Sequence, residues 1–159
     1  MTRNDPTSVH QDITVDVPQA QAFALFTERF DAVKPREYNL LSVPVEETVL
    51  EPWAGGSVYD RGTDGTICRW ARVLAVEPPA RLLMSWDITP AWELETDLDR
   101  TSEVEVRFIA LSDRQTRVEI HHRHLDRHGE GWQAFREGVA EGWPVFLDNL
   151  RGLTVRADA

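Results

Sequence analysis

What the sequence has little of narrows it first. It holds one cysteine, Cys68, among 159 residues. A lone thiol closes no internal disulfide and suits a reducing compartment. Basic side chains are scarce: 17 Lys and Arg stand against 27 Asp and Glu, a formal net charge of −10. Nucleic-acid binding needs cations clustered against phosphate, so that class is excluded, and attraction to an anionic membrane surface goes with it. The first residues, Met1 to Val9, are polar and carry Asp5 and Pro6, with no apolar stretch of the kind a secretory signal uses. No run approaches the length of a membrane-spanning helix. These absences lead us to expect a cytoplasmic protein. Also missing are a Gly-x-Ser-x-Gly elbow, a phosphate-binding loop and a Rossmann glycine pattern. No repeat, low-complexity tract or linker divides the chain.

What is present reads as one folded domain. Hydrophobic residues make up 42% and charged residues 28%, and a chain of this length buries roughly 70% of its unfolded surface. The expected organisation is a flexible tail over 1–8 and a single domain over 9–155.

Alternation of Val9, Gln11, Ile13, Val15 and Val17 with polar neighbours predicts a half-buried strand. Pro18 stops it and suits an early helical position. Ala22, Phe23, Phe26 and Phe30 then keep helical spacing, so 19–30 is expected to be a short amphipathic helix, with 31–41 irregular. From Val43 to Leu125 the pattern is β. Asp64-Gly65 marks a hairpin, and Glu77-Pro78-Pro79-Ala80 a turn. A polar acidic loop spans 90–101, and a last hairpin turns around Ser112-Asp113-Arg114. Strands with no helices between them imply an antiparallel sheet.

The chain closes on a long helix. Trp132, Phe135, Val139, Trp143, Phe146, Leu150 and Leu153 recur every three or four residues, one continuous apolar stripe rich in rings. Such a stripe must lie on the β-rich region before it, enclosing either a solid core or a pocket. Gly138 and Gly142 beside the rings leave room near the helix centre. They fit either space for a ligand or close packing against the sheet.

The order and spacing of several motifs are family-like. They are Val15-Asp16-Val17-Pro18, Phe26-Thr27, Glu51-Pro52-x-x-Gly55-Gly56, Asp64-Gly65, Val73-x-x-Val76-Glu77-Pro78-Pro79-x-Arg81-Leu82 and Ser85-Trp86. Three more follow: Glu103-Val104-Glu105-Val106-Arg107-Phe108, Thr116-Arg117-Val118-Glu119, and Gly142-Trp143-Pro144 with Leu147 and Leu150. Over about residues 10–152 the chain resembles the START-like superfamily, often called SRPBCC. Within it, the resemblance is to the group named for its likeness to the activator of the heat shock protein 90 ATPase. The resemblance implies an α+β helix-grip fold, in which a curved antiparallel sheet wraps the long C-terminal helix around a hydrophobic cavity. It implies no single reaction, because members include lipid carriers, cyclases, hormone receptors and co-chaperone domains. One departure stands out. Relatives often carry two tryptophans before the proline that follows the first helix, where this chain reads Val33-Lys34-Pro35.

Several residues are candidates for chemistry. His121, His122 and His124 sit at the end of the last strand, with His128 just beyond. Strand period places Val118, Ile120, His122 and His124 on the inward face. Two histidines at i and i+2 suit a metal, and Asp126 or His128 could contribute, but no third ligand follows at matching spacing, so neither metal nor cofactor is expected. A cavity-lining or acid–base role, or a hydrogen-bonded structural role, remains for the pair. Arg72 shares a strand face with Trp70 and Leu74, so an inward guanidinium would need a partner or an anionic ligand. Glu103 and Glu105 read as a solvated outer face, and Cys68 as a small core residue. The expected cavity lining is Trp70, Arg72, Trp86, Phe108, His122, His124, Phe135, Val139 and Trp143, and no residue is assigned as catalytic.

The function expected from this reading is binding of a small, largely apolar molecule beneath the C-terminal helix. Two alternatives belong to other classes. One is a protein–protein module resembling the chaperone ATPase activator, with a chaperone or a second copy of the chain as partner. The other is a cavity enzyme, cyclase- or hydrolase-like, using the His122 and His124 region.

Overall fold

The computed structural model describes residues 5–158, and the side chains of 5–155. Of the expected tail, residues 1–4 lie outside the described residues. Asp5 to Ser8 form a turn in which the Ser8 amide donates to the Asp5 carbonyl at 3.1 Å, and the Leu125 amide donates to the Thr7 carbonyl at 2.9 Å. The first strand, β1 (Val9–Val15), follows. Pro18 stands in extended conformation just before helix α1 (Gln19–Glu28). Arg29 breaks the helical geometry, and a four-residue helix α2 (Phe30–Val33) restarts it. The strands β2 (Val45–Leu50), β3 (Ser57–Gly62), β4 (Ile67–Glu77), β5 (Arg81–Trp86), β6 (Ser102–Ser112) and β7 (Gln115–Arg123) come next. Helix α3 (Trp132–Asp158) ends the chain and runs without interruption through Pro144.

All seven strands join in one antiparallel sheet in the order β1-β7-β6-β5-β4-β3-β2. The chain's first strand thus pairs with its last, Val9 opposite His122 and Val15 opposite Thr116. The sheet curls into a half-barrel, and α3 lies in its hollow: this is the helix-grip α+β fold. At the β3–β4 hairpin Gly65 takes φ +87°, the left-handed region that its missing side chain permits. Among the described residues, no helix is long and apolar enough to cross a membrane.

The apolar stripe of α3 packs as its spacing demands. Phe135, Val139, Trp143, Phe146, Leu150 and Leu153 are all buried, and Trp132 is half-buried at the helix start. The inward sheet residues Leu82, Met84, Val104, Val106, Val118 and Ile120 are fully buried opposite them. Phe108 belongs to the part of this core that lies under α1, edge-on to Phe23 and Phe26 at 5.2 and 5.8 Å.

The outer face differs from its expectation in one respect. Glu105 is buried rather than solvated, because Arg81, Arg107 and Arg123 lie over it. The cross-strand pairs of Glu105 with Arg81 and of Glu103 with Arg123 hold these carboxylates on the outer face.

Candidate ligand-binding site

A cavity of about 410 Å³ opens between α3 and the β3–β5 part of the sheet. Asp60, Trp70, Trp86 and Ile88 form its sheet wall, and Val139, Gly142, Trp143 and Phe146 its helix wall. Around its rim lie Tyr38 and Trp92, 43% and 49% exposed, so these two rings mark the mouth. At the departure after the first helix, Val33 is fully buried in the core and Lys34 is buried beside Asp60, while Tyr38 of the same loop and Trp92 of the loop after β5 stand at the mouth.

The walls are built of interlocked rings. Trp70 meets Trp86 edge-on at 5.2 Å, Trp86 meets Trp143 at 5.4 Å, and Trp143 meets Phe146 at 4.7 Å. The two helix glycines resolve differently. A Cβ on Gly142 would meet only Tyr38, at 3.8 Å, so its absence leaves space rather than admitting the sheet. A Cβ on Gly138 would come within 3.0 Å of the Trp92 ring, so this glycine admits a rim residue.

Of the nine residues expected to line the cavity, Trp70, Trp86, Val139 and Trp143 do. The other five stand elsewhere. Phe108 is in the part of the core under α1. Phe135 packs one turn before the cavity, against Trp92 at 4.7 Å and His128 at 4.9 Å. Arg72 leaves the inward face because β4 bulges. Arg69 opposes Tyr59 and Ala71 opposes Val58, so Trp70 has no partner of its own and the alternation changes phase. Both Trp70 and Ala71 are consequently buried. The Arg72 guanidinium instead forks onto the Asp87 carboxylate at 3.0 and 3.1 Å, which satisfies it without a ligand. His124 is not on the strand at all. β7 ends at Arg123, and His124 takes a left-handed φ of 64° that starts a 3₁₀ turn over Leu125–His128. The inward pair is therefore His122 and His128, brought together by that turn.

His122 stands behind the cavity wall rather than on it. The Trp143 indole N–H donates to His122 Nδ1 at 3.2 Å. Ser102 Oγ lies 2.7 Å from His122 Nε2 and 2.7 Å from His128 Nε2. All four residues are at most 1% exposed. The direction of every bond follows from the first. With Nδ1 accepting, a neutral His122 must carry its proton on Nε2 and donate to Ser102, and the Ser102 hydroxyl then donates to His128 Nε2. His128 keeps its proton on Nδ1, which is buried with no partner. Burial pushes the His122 imidazolium well below its ordinary range, with His128 and His121 adding to the shift. Burial likewise lowers His128, to about 4. Both rings are neutral at pH 7, as the bond directions require.

At the other end of the cavity Asp60 is a buried polar centre. It accepts from Thr48 Oγ1 at 2.6 Å and from Lys34 Nζ at 3.1 Å. Lys34 also donates to the Tyr38 carbonyl and sits 5.5 Å from the centre of the Trp70 ring. Burial pushes the Lys34 ammonium down, and the Asp60 charge opposes that shift. Cys68, opposite Asp60 on β4, is half-buried, and burial raises its thiol.

The indole nitrogens of Trp70 and Trp86 are enclosed by the surrounding protein without a hydrogen-bond partner. Among the described residues one group has metal-ligand donor types, His10, Asp12 and Glu119, with ligand atoms within 4.8 Å of one another. Glu119 is already paired with Arg117 at 3.1 Å, and none of the three lines the cavity.

A helix-grip domain enclosing an aromatic cavity defines a class of ligand-binding folds. The profile of the family described as "Activator of Hsp90 ATPase homolog 1-like protein" matches residues 16–154, and the chain belongs to this family. Among solved structures it is similar to Txn09, an anthrahydroquino-γ-pyrone synthase. The two are 32% identical over 89% of this chain and 96% of that one, with a TM-score of 0.62. It is also similar to CalC of Micromonospora echinospora, a self-sacrificing resistance protein, at 26% identity over 97% of each chain and a TM-score of 0.67. Protein NE0264 from Nitrosomonas europaea, 13% identical over 99% of each chain with a TM-score of 0.68, shares the fold. No protein of curated function matches the sequence significantly.

Proposed function

We propose that this protein binds one small, flat, largely apolar molecule bearing oxygen acceptors in the cavity beneath α3, in a reducing, cytoplasmic setting. The observation that carries this reading is the cavity itself. Its volume of about 410 Å³ falls within the range of small-molecule sites. Its walls are rings, with Trp70, Trp86, Trp143 and Phe146 among them. The similarity to a synthase whose name specifies a fused, oxygenated aromatic product favours the same shape of ligand.

The test is titration with N-phenyl-1-naphthylamine, a neutral apolar fluorophore. We expect saturable binding at about one site per native chain. Val139→Trp fills the cavity from the helix side and is expected to weaken that binding at least tenfold while the circular dichroism spectrum is unchanged. If the fluorophore binds only under partly denaturing conditions, or the filled variant binds as well as the parent, the cavity is not the site. The reading as a protein–protein module would then lead.

A further inference from the structure

We propose that Asp60 makes the cavity selective for a ligand with a hydroxyl donor, a phenol or an enol, whose O–H it accepts. This rests on the cavity being a ligand site and names the class of molecule that site takes.

Three residues with carboxylates line the cavity: Glu37, Asp60 and Glu141. The two glutamates are exposed, whereas the Asp60 side chain is 1% exposed. Its two oxygens have one protein donor each, Thr48 Oγ1 and Lys34 Nζ. An ionised carboxylate accepts about four hydrogen bonds. Asp60 therefore keeps acceptor capacity in a cavity whose sheet wall is otherwise Trp70, Trp86 and Ile88. Lys34 already supplies the compensating charge, so a cationic ligand would meet a like charge beside the carboxylate. A neutral O–H donor is the group that fits.

Stability alone does not explain the pair. Taking Lys34 and Asp60 out of water is expensive, and apolar residues of similar volume often replace a buried ion pair without loss.

The experiment compares two probes of nearly equal size at pH 6 by calorimetric titration. 2,6-Dihydroxyanthraquinone carries two free phenols, and 2,6-dimethylanthraquinone carries methyl groups in their place. The expected result is at least tenfold tighter binding of the dihydroxy probe, because a site built to accept a hydroxyl rejects the analogue that lacks it. In the double variant Lys34→Met with Asp60→Leu, which leaves no unpaired charge, both probes are expected to bind within about twofold of each other. A measurement that needs no variant is the Asp60 Cγ resonance, expected to move with the dihydroxy probe and to stay with the dimethyl one. Equal binding of the two probes to the parent protein overturns the proposal and leaves the cavity reading intact. So does a preference that survives in the double variant, or an Asp60 resonance that ignores the hydroxyls. If neither probe binds the parent, the cavity reading itself fails and this proposal falls with it.

Discussion

Lowering the pH from 7 to 5 is expected to remove about 2 kcal/mol of stability through His128 alone, with His122 adding a loss in the same direction. Each ring is held neutral in the folded chain, while its unfolded counterpart takes up a proton near pH 6.5. The contribution is therefore complete above about pH 6.5. It is lost as the pH falls toward the folded value of about 4 for His128. Protonation also breaks the geometry, since a doubly protonated His122 offers N–H at Nδ1 and no longer accepts the Trp143 indole. Urea unfolding followed by tryptophan fluorescence at half-unit pH steps measures the slope. Nitrogen NMR of the imidazoles should show the Nε2–H tautomer for His122 and the Nδ1–H tautomer for His128 at both pH 7 and pH 5. A stability that stays flat from pH 7 to 5.5, or either ring charged at pH 6, would contradict the Trp143–His122–Ser102–His128 chain of bonds.

Trp143→Ala is expected to cost about 3–5 kcal/mol, the range for truncating a buried large ring. Trp143 is 1% exposed and in ring contact with Trp86, Phe146 and His122. Truncation also strips His122 Nδ1 of its donor, which places the expected cost toward the upper end. Trp143→Phe keeps one six-membered ring but loses the pyrrole part of the indole with its N–H, so about 1–2 kcal/mol is expected from the orphaned acceptor, with a further cost from the smaller void. Chemical denaturation of both variants measures the two losses, and the alanine variant is expected to lose more. A loss below about 1 kcal/mol for the alanine variant would show that the helix stripe is not seated on the core.

The elements with strong periodicity were legible in the sequence. The period of two in β1 and of 3.6 in α3 are properties of neighbouring residues, so they survive without tertiary information. What could not be read depends on contacts between distant segments or on single backbone angles. The bulge at Trp70 turns Arg72 off the inward face, yet 66–76 alternates smoothly enough to read as an unbroken strand. His124 ends β7 by adopting a left-handed φ that histidine seldom takes, so nothing marks the place where His128 returns to face His122. Ser102 drew no notice because a serine at the start of a strand is ordinary, and only the fold places it between two imidazoles. Lys34 was visible as a departure from the family pattern, but its partner Asp60 lies 26 residues away on another strand. Helix α2 has only four residues, too few to show a period.

The central claim is that the cavity under α3 holds a ligand, and the indole N–H resonances of the six tryptophans test it most directly. With N-phenyl-1-naphthylamine added to nitrogen-labelled protein, the account predicts saturable one-to-one shifts. They should fall at the Trp70 and Trp86 indoles and at the Val139 and Gly142 amides, with exposed Trp53 unmoved. Shifts confined to Trp53 and other surface residues, or no saturable shift at the cavity wall, would contradict it.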